Sequence, residues 1–175
     1  MSRNWKLTPW TSGWKRQYEE ESAVLRTIFC HEIVDIQHVG STSVPAIGFA
    51  KPVIDILLAV RDIGKVDDRN EFMKSAGYRV RGENGIRGRR YFTKGDAPRT
   101  HHVHIYQQGD PKLRTYLDFK AYLLEHPVKA AEYGRLKLDI LATHPQDEYQ
   151  REKERRMARL VEEALMWGAS GGRRP

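Results

Sequence analysis

The sequence predicts an α+β domain, α/β-like in its organisation: a mixed β-sheet flanked by helices, followed by a helical C-terminal part. Three observations lead there. Apolar runs rich in β-branched residues recur at 33–39, 53–60 and 101–107. Helix-period stripes lie before the first run and after the second. Beyond the third run the periodicity is helical alone, with prolines placed to open helices.

Taken in order, Gly13 to Phe29 places Trp14, Tyr18, Leu25, Ile28 and Phe29 on one helical face, with Thr11 or Ser12 as N-cap. Ile33, Val34, Ile36 and Val39 then read as a strand. Gly40-Ser41 is a small-residue turn, so its backbone N–H groups can face and cradle a phosphate. Val53 to Val60 forms a second strand that carries one carboxylate, Asp55. Burying that charge without a partner is costly, which marks a site.

Asp62 to Ala76 predicts a helix through Ile63, Val66, Phe72, Met73 and Ala76, closed by Gly77. Tyr78–Arg81 and Arg90–Thr93 are short strands around a glycine-containing loop, and this segment carries Arg81, Arg87, Arg89 and Arg90. In the strand His101 to Gln107, His102 and His104 share one face, while His101, Val103 and Ile105 take the other. Leu113, Leu117, Tyr122, Leu123 and Leu124 predict a helix, Pro127 begins a second, and Pro145 opens a third. The stripe Met157, Leu160, Val161, Ala164 and Leu165 faces the core.

At 175 residues, the chain predicts one domain over 1–167 and a flexible basic tail over 168–175. Hydrophobic residues at 39% and charged residues at 30% place it among globular proteins rather than disordered ones. No apolar run approaches a membrane span and no signal-peptide hydrophobic region follows the N-terminus, so the expected location is cytoplasmic, without a membrane partner. The single cysteine, Cys30, excludes an intramolecular disulfide and reads as a small core residue. A net charge of +7 favours contact with phosphate-bearing molecules without separating a nucleotide from a nucleic acid or a solvated surface, and the partner expected is a small phosphate-bearing ligand. Nucleic acid ranks last among the partners because no recognised binding module is present.

Several motifs then combine: His38-Val39-Gly40-Ser41-Thr42-Ser43-Val44-Pro45, Ala50-Lys51-Pro52-Val53-Ile54-Asp55-Ile56, His102-Val103-His104, Phe119 with Tyr122-Leu123, Glu132-Tyr133 with Leu136-Lys137, and Tyr149 with Lys153. Together they resemble the GrpB (UPF0157) family, whose fold is nucleotidyltransferase-like. The chain departs from the family pattern at Ala46-Ile47, where Gly-Leu is expected, and at Lys120-Ala121, where Arg-Asp is expected.

The resemblance implies binding of a nucleotide or related phosphate ester and transfer of a nucleotidyl or phosphoryl group to a small acceptor. Gly40, Ser41, Thr42, Lys51 and Arg90 would bind phosphate, and Asp55, Ser41 and Lys51 would act in catalysis. Nucleotidyltransferases carry two carboxylates spaced by one residue on this strand, but Val53 stands at the first position here. That substitution equally suits a binding protein without transferase chemistry. Asp55, His102 and His104 would form a metal site for Mn, Zn or Mg, its nitrogen donors favouring a transition metal.

Simpler roles are open for the other residues. His38 either lines the pocket, where it is the one candidate base for a Ser41 nucleophile, or hydrogen-bonds the turn. Lys137 and Lys153 read as surface ion-pair residues, and Tyr122, Tyr133 and Tyr149 as packing residues. Asp147 to Arg159 reads as a solvated helical face.

Overall fold

The structure, a computed structural model, describes residues 5–172. Strand β1 (Thr8–Pro9) precedes helix α1 (Gly13–Phe29), which leads into β2 (Ile33–Val39). Two short 3-10 turns follow, Ser41–Ser43 and Pro45–Ile47, and then β3 (Phe49–Ala50), which pairs with β1. The order continues with β4 (Ile54–Val60), α2 (Gly64–Asp67), α3 (Asn70–Ser75), β5 (Tyr78–Val80), β6 (Arg90–Lys94) and β7 (His101–Gln107). Three helices close the described chain: α4 (Pro111–Glu125), α5 (Pro127–Thr143) and α6 (Tyr149–Ala169).

The main sheet has the order β2-β4-β7-β6-β5. Only β4 and β7 run parallel, and each is central, so both faces of this pair are covered. On one face Ile54, Ile56, Leu58, Val103, Ile105 and Phe92 pack against α1 through Trp14, Leu25 and Phe29, and against Val66 and Met73. On the other, Val39, Leu57 and Tyr106 meet α4 through Leu113, Tyr116 and Leu117. The period-2 alternation of β4 therefore sends Ile54, Ile56 and Leu58 to α1, and Asp55 and Leu57 toward the C-terminal helices. A separate core of Val44, Ile47, Leu123, Ala130, Tyr133 and Ala164 ties the 3-10 turns to α4, α5 and α6.

Three expectations are corrected. Cys30 is exposed: it ends α1 with φ +42°, its thiol donates to the Thr27 carbonyl at 2.9 Å, and Phe29 takes the core position beside it. The helix expected over Asp62 to Ala76 is two short helices, split between Asp67 and Asn70. Val66 and Met73 reach the core, while Phe72, next to Met73 on the helix, is 57% exposed. The segment expected to be a flexible tail begins inside α6, where Gly168 is buried against Asp118. Residues 173–175 lie outside the described residues.

Gly134 sets the closest approach between α5 and the turn before β3, because a Cβ there would overlap the carbonyl oxygen of Ile47. Alanine gains about 1 kcal/mol of helix propensity over glycine, but overpacking against backbone costs about 1–3 kcal/mol. Gly134→Ala is therefore expected to lower the urea midpoint, with the turn before β3 losing hydrogen-exchange protection first.

Candidate phosphate and metal site

Parallel pairing of β4 with β7 sets Asp55 directly beside His102, and antiparallel pairing with β2 sets it opposite Val39. The turn after Val39 consequently lies across the start of β4. His102 Nδ1 stands 3.1 Å from Asp55 Oδ1 and His104 Nε2 stands 3.6 Å from the same oxygen. The other His104 nitrogen faces the Tyr116 hydroxyl at 3.3 Å, which fixes its ring. Tyr91 packs against both imidazoles, with ring centroids at 5.6 and 5.0 Å.

One ligand atom from each of Asp55, His102 and His104 lies within 4.8 Å of the others. A carboxylate with two imidazoles is a donor set for a borderline transition cation rather than for Mg, which prefers oxygen and water. His102 Nε2 is buried with no hydrogen-bond partner, a nitrogen that a ligand can still satisfy. The residues present thus fit a divalent metal. Burial would raise the Asp55 carboxyl, yet the adjacent His102 and His104 outweigh it and hold the group well below the usual carboxylate range. Burial also pushes His104 down, favouring the neutral imidazole that ligates metal.

Gly40 makes the turn: its φ of +72° and ψ of −175° belong to a region essentially confined to glycine, and a Cβ would overlap the Asp55 carboxylate. Tyr133, whose hydroxyl donates to the Met157 sulfur at 3.8 Å, has its phenol raised to about 12, chiefly by burial, with Ser41 acting in the opposite direction. Thr42 is buried; its hydroxyl donates to the Val53 carbonyl at 3.4 Å and meets His38 Nε2 at 2.9 Å. The Thr42 side chain therefore braces the turn from within. His38 stacks on Tyr18 of α1 at 4.9 Å, across the sheet from Asp55, and burial lowers its imidazole to about 4. Its role is the hydrogen bond to the turn, so His38 supplies no base to Ser41.

Gly40, Ser41, Thr42, Asp55, His102 and His104 line a cavity of about 1170 Å³. Lys51, Lys137, Lys153, Arg89 and Arg99 line it too, giving a strongly basic wall around Gly40, Ser41 and Asp55. Lys51 lies over the rings of Trp5 at 3.3 Å and Tyr149 at 4.5 Å. Arg89 is buried, with its guanidinium on the Glu83 and Asn84 carbonyls and against Tyr91. Arg90, the neighbour expected to bind phosphate, points away: it forms a two-pronged ion pair with Asp67 at 2.7 and 2.8 Å and does not line the cavity. Arg89 ends the loop before β6 whereas Arg90 opens the strand, and the two side chains leave in different directions.

Lys137 and Lys153 were expected at the surface, yet both belong to the cavity wall. Lys137 is 2% exposed and donates to the Phe49 carbonyl. Burial, reinforced by Lys153 and Lys51, pushes it down to about 7, and burial lowers Lys153 also. Their family-like positions beside Tyr133 and Tyr149 were the legible signal. Arg99 and Tyr116 carried none.

The Lys137 shift makes a prediction. Its folded value lies below the ordinary lysine value of 10.5, so between about 7 and 10.5 the unfolded chain holds the extra proton and stability rises with pH. Lys137→Met should flatten the rise in Tm from pH 7 to pH 9, measured by circular dichroism.

Comparison with known families matches residues 4–163 to the family described as GrpB protein. The chain belongs to the GrpB family. Its relative UPF0157 protein YqkA of Bacillus subtilis is 42% identical over 167 residues, covering 94% of this chain and 48% of that protein. The chain thus spans about half the length of that relative. The crystal structure of GrpB from Enterococcus faecalis superposes with a TM-score of 0.86 at 39% identity, covering 92% of this chain and 98% of that one. Cid1, an RNA terminal uridylyl transferase, superposes with a TM-score of 0.50 at 11% identity over 75% of this chain and 40% of its own. That likeness is one of fold, and it makes this GrpB member nucleotidyltransferase-like in architecture. Among the described residues, no helix is long and apolar enough to cross a membrane.

Proposed function

We propose that this GrpB protein binds a nucleotide or related phosphate ester and transfers a nucleotidyl or phosphoryl group from it to a small acceptor. One observation carries the reading: the Gly40-Ser41 turn, Asp55 and two imidazoles meet on one wall of a cavity ringed by buried or half-buried cations. Gly40 and Ser41 offer backbone and hydroxyl donors to a phosphate. Lys51, Lys137, Lys153 and Arg89 oppose the charge that develops on a phosphoryl group in transfer. Asp55 orients His102 and His104, and a divalent cation held there would polarise a phosphoryl oxygen.

Incubating the protein with nucleotides, small acceptors and Mn, Zn or Mg should yield a transferred group by mass spectrometry. Absence of metal-dependent turnover across that panel would refute catalysis. Val53 at the first carboxylate position favours a second reading, a phosphate-ligand binding protein that has lost transferase chemistry. Under it, calorimetry shows saturable nucleotide binding that Ser41→Ala weakens, with no turnover.

A further inference from the structure

A second chamber of about 270 Å³ adjoins the same wall, and Gly40, Ser41, Asp55, Tyr116 and Lys153 border both spaces. Beyond that border its chemistry changes. Val44, Ile47, Phe119, Leu123, Met157 and Val161 supply most of the remaining lining. Helical spacing accounts for this: Phe119 and Leu123 lie one turn apart on α4, as do Lys153, Met157 and Val161 on α6. The apolar side of the chamber offers water few hydrogen bonds. It suits an apolar body rather than a hydrated phosphate chain.

Besides Lys153 at the border, a second cation interrupts the apolar lining. Lys120 reaches the chamber from α4 and makes no hydrogen bond or ion pair among the described residues. Burial pushes its ammonium down, with Asp35 acting in the opposite direction, so the charge is incompletely compensated. An anionic group on an occupant would complete the pairing. The space is about that of nine liquid water molecules, room enough for a one-ring aryl carboxylate.

We propose that this chamber is the second-substrate side of the site, and that it takes a small organic acid, a carboxylate on an aryl or branched-alkyl body. The assignment rests on reading the larger cavity as the phosphate-ester side. Its place beside Gly40-Ser41 and Asp55 brings such a molecule to the edge of the phosphate cavity without entering it. The basic walls of the larger cavity then stay available to the phosphates.

Ligand-observed NMR titration with benzoate, 3-phenylpropionate and neutral benzamide tests the chamber, while calorimetry with ATP reads the larger cavity separately. Benzoate and 3-phenylpropionate should bind more tightly than benzamide. Lys120→Met should weaken both acids at least tenfold and leave ATP binding unchanged. Val161→Phe, from α6, and Thr115→Trp, from α4, should each block the acids by filling the chamber, with circular dichroism confirming the fold. If benzamide binds as well as benzoate, if Lys120→Met changes nothing, or if neither acid binds, the assignment is overturned. If the acids bind and respond to these variants but ATP does not bind, the organic-acid chamber stands and the phosphate reading falls.

Discussion

Asp55→Asn is expected to weaken Mn(II) or Zn(II) binding by at least about 100-fold, since losing even an outer-sphere partner of a metal ligand costs roughly 10–100-fold. The substitution keeps side-chain size while removing the one charge among the three ligands. His104→Ala should have a comparable effect by deleting a donor nitrogen. Wild-type affinity should follow Mn or Zn over Mg, and it should fall on acidification because proton and metal compete for the same imidazole lone pairs. Burial holds His104 below the ordinary imidazole range, so its share of the competition enters at more acidic pH than for an exposed histidine. Titrations of wild type and both variants at neutral and mildly acidic pH, with circular dichroism as the folding control, check this. Equal affinities throughout would return His102 and His104 to a purely structural role.

Gly40→Ala should be the most damaging single-atom change in the phosphate turn. Its backbone conformation costs a non-glycine residue about 1–3 kcal/mol, and the added methyl would overlap the carboxylate that the site is built around. The expected result is a lower unfolding midpoint together with loss of metal binding, because relief of the overlap displaces Asp55 from His102. Ser43→Ala provides the contrast. Its hydroxyl bonds only the Gly40 carbonyl, at 2.7 Å, on an exposed part of the same turn. Removing it should cost about 1 kcal/mol or less and leave metal affinity near wild type. Equal behaviour of the two variants in denaturant and metal titrations would show that Gly40 imposes no special constraint.

The local pattern of the sequence determined the helix Gly13–Phe29 through its helical period, the strand His101–Gln107 through alternation, and the strand Ile33–Val39 through its β-branched residues, although its pairing is irregular between Ile33 and Asp35. It also placed His102 and His104 on one face, since alternation along a strand is a local property. The turn at Gly40-Ser41 and the solitary carboxylate Asp55 stood out for similarly local reasons, one conformational and one electrostatic. The sequence misread Cys30 because a helix-to-strand reversal depends on where the next strand lies, not on the residues flanking the thiol.

The family resemblance implied which histidines meet Asp55, but only the tertiary structure set how they meet it. Pairing of β4 with β7 joins residues 47 positions apart, and strand register alone brings His102 to 3.1 Å from that carboxylate. Lys137 and Lys153 look like ordinary helix lysines in sequence, where solvation is the default; α5 and α6 fold their ammonium groups onto the cavity wall. Arg89 and Arg90 are adjacent and chemically identical, yet the sheet sends one to the cavity and the other to Asp67. Side-chain type and period are written locally, whereas charge burial and ligand geometry are fixed by contacts between distant segments, and those exist only once the chain has folded.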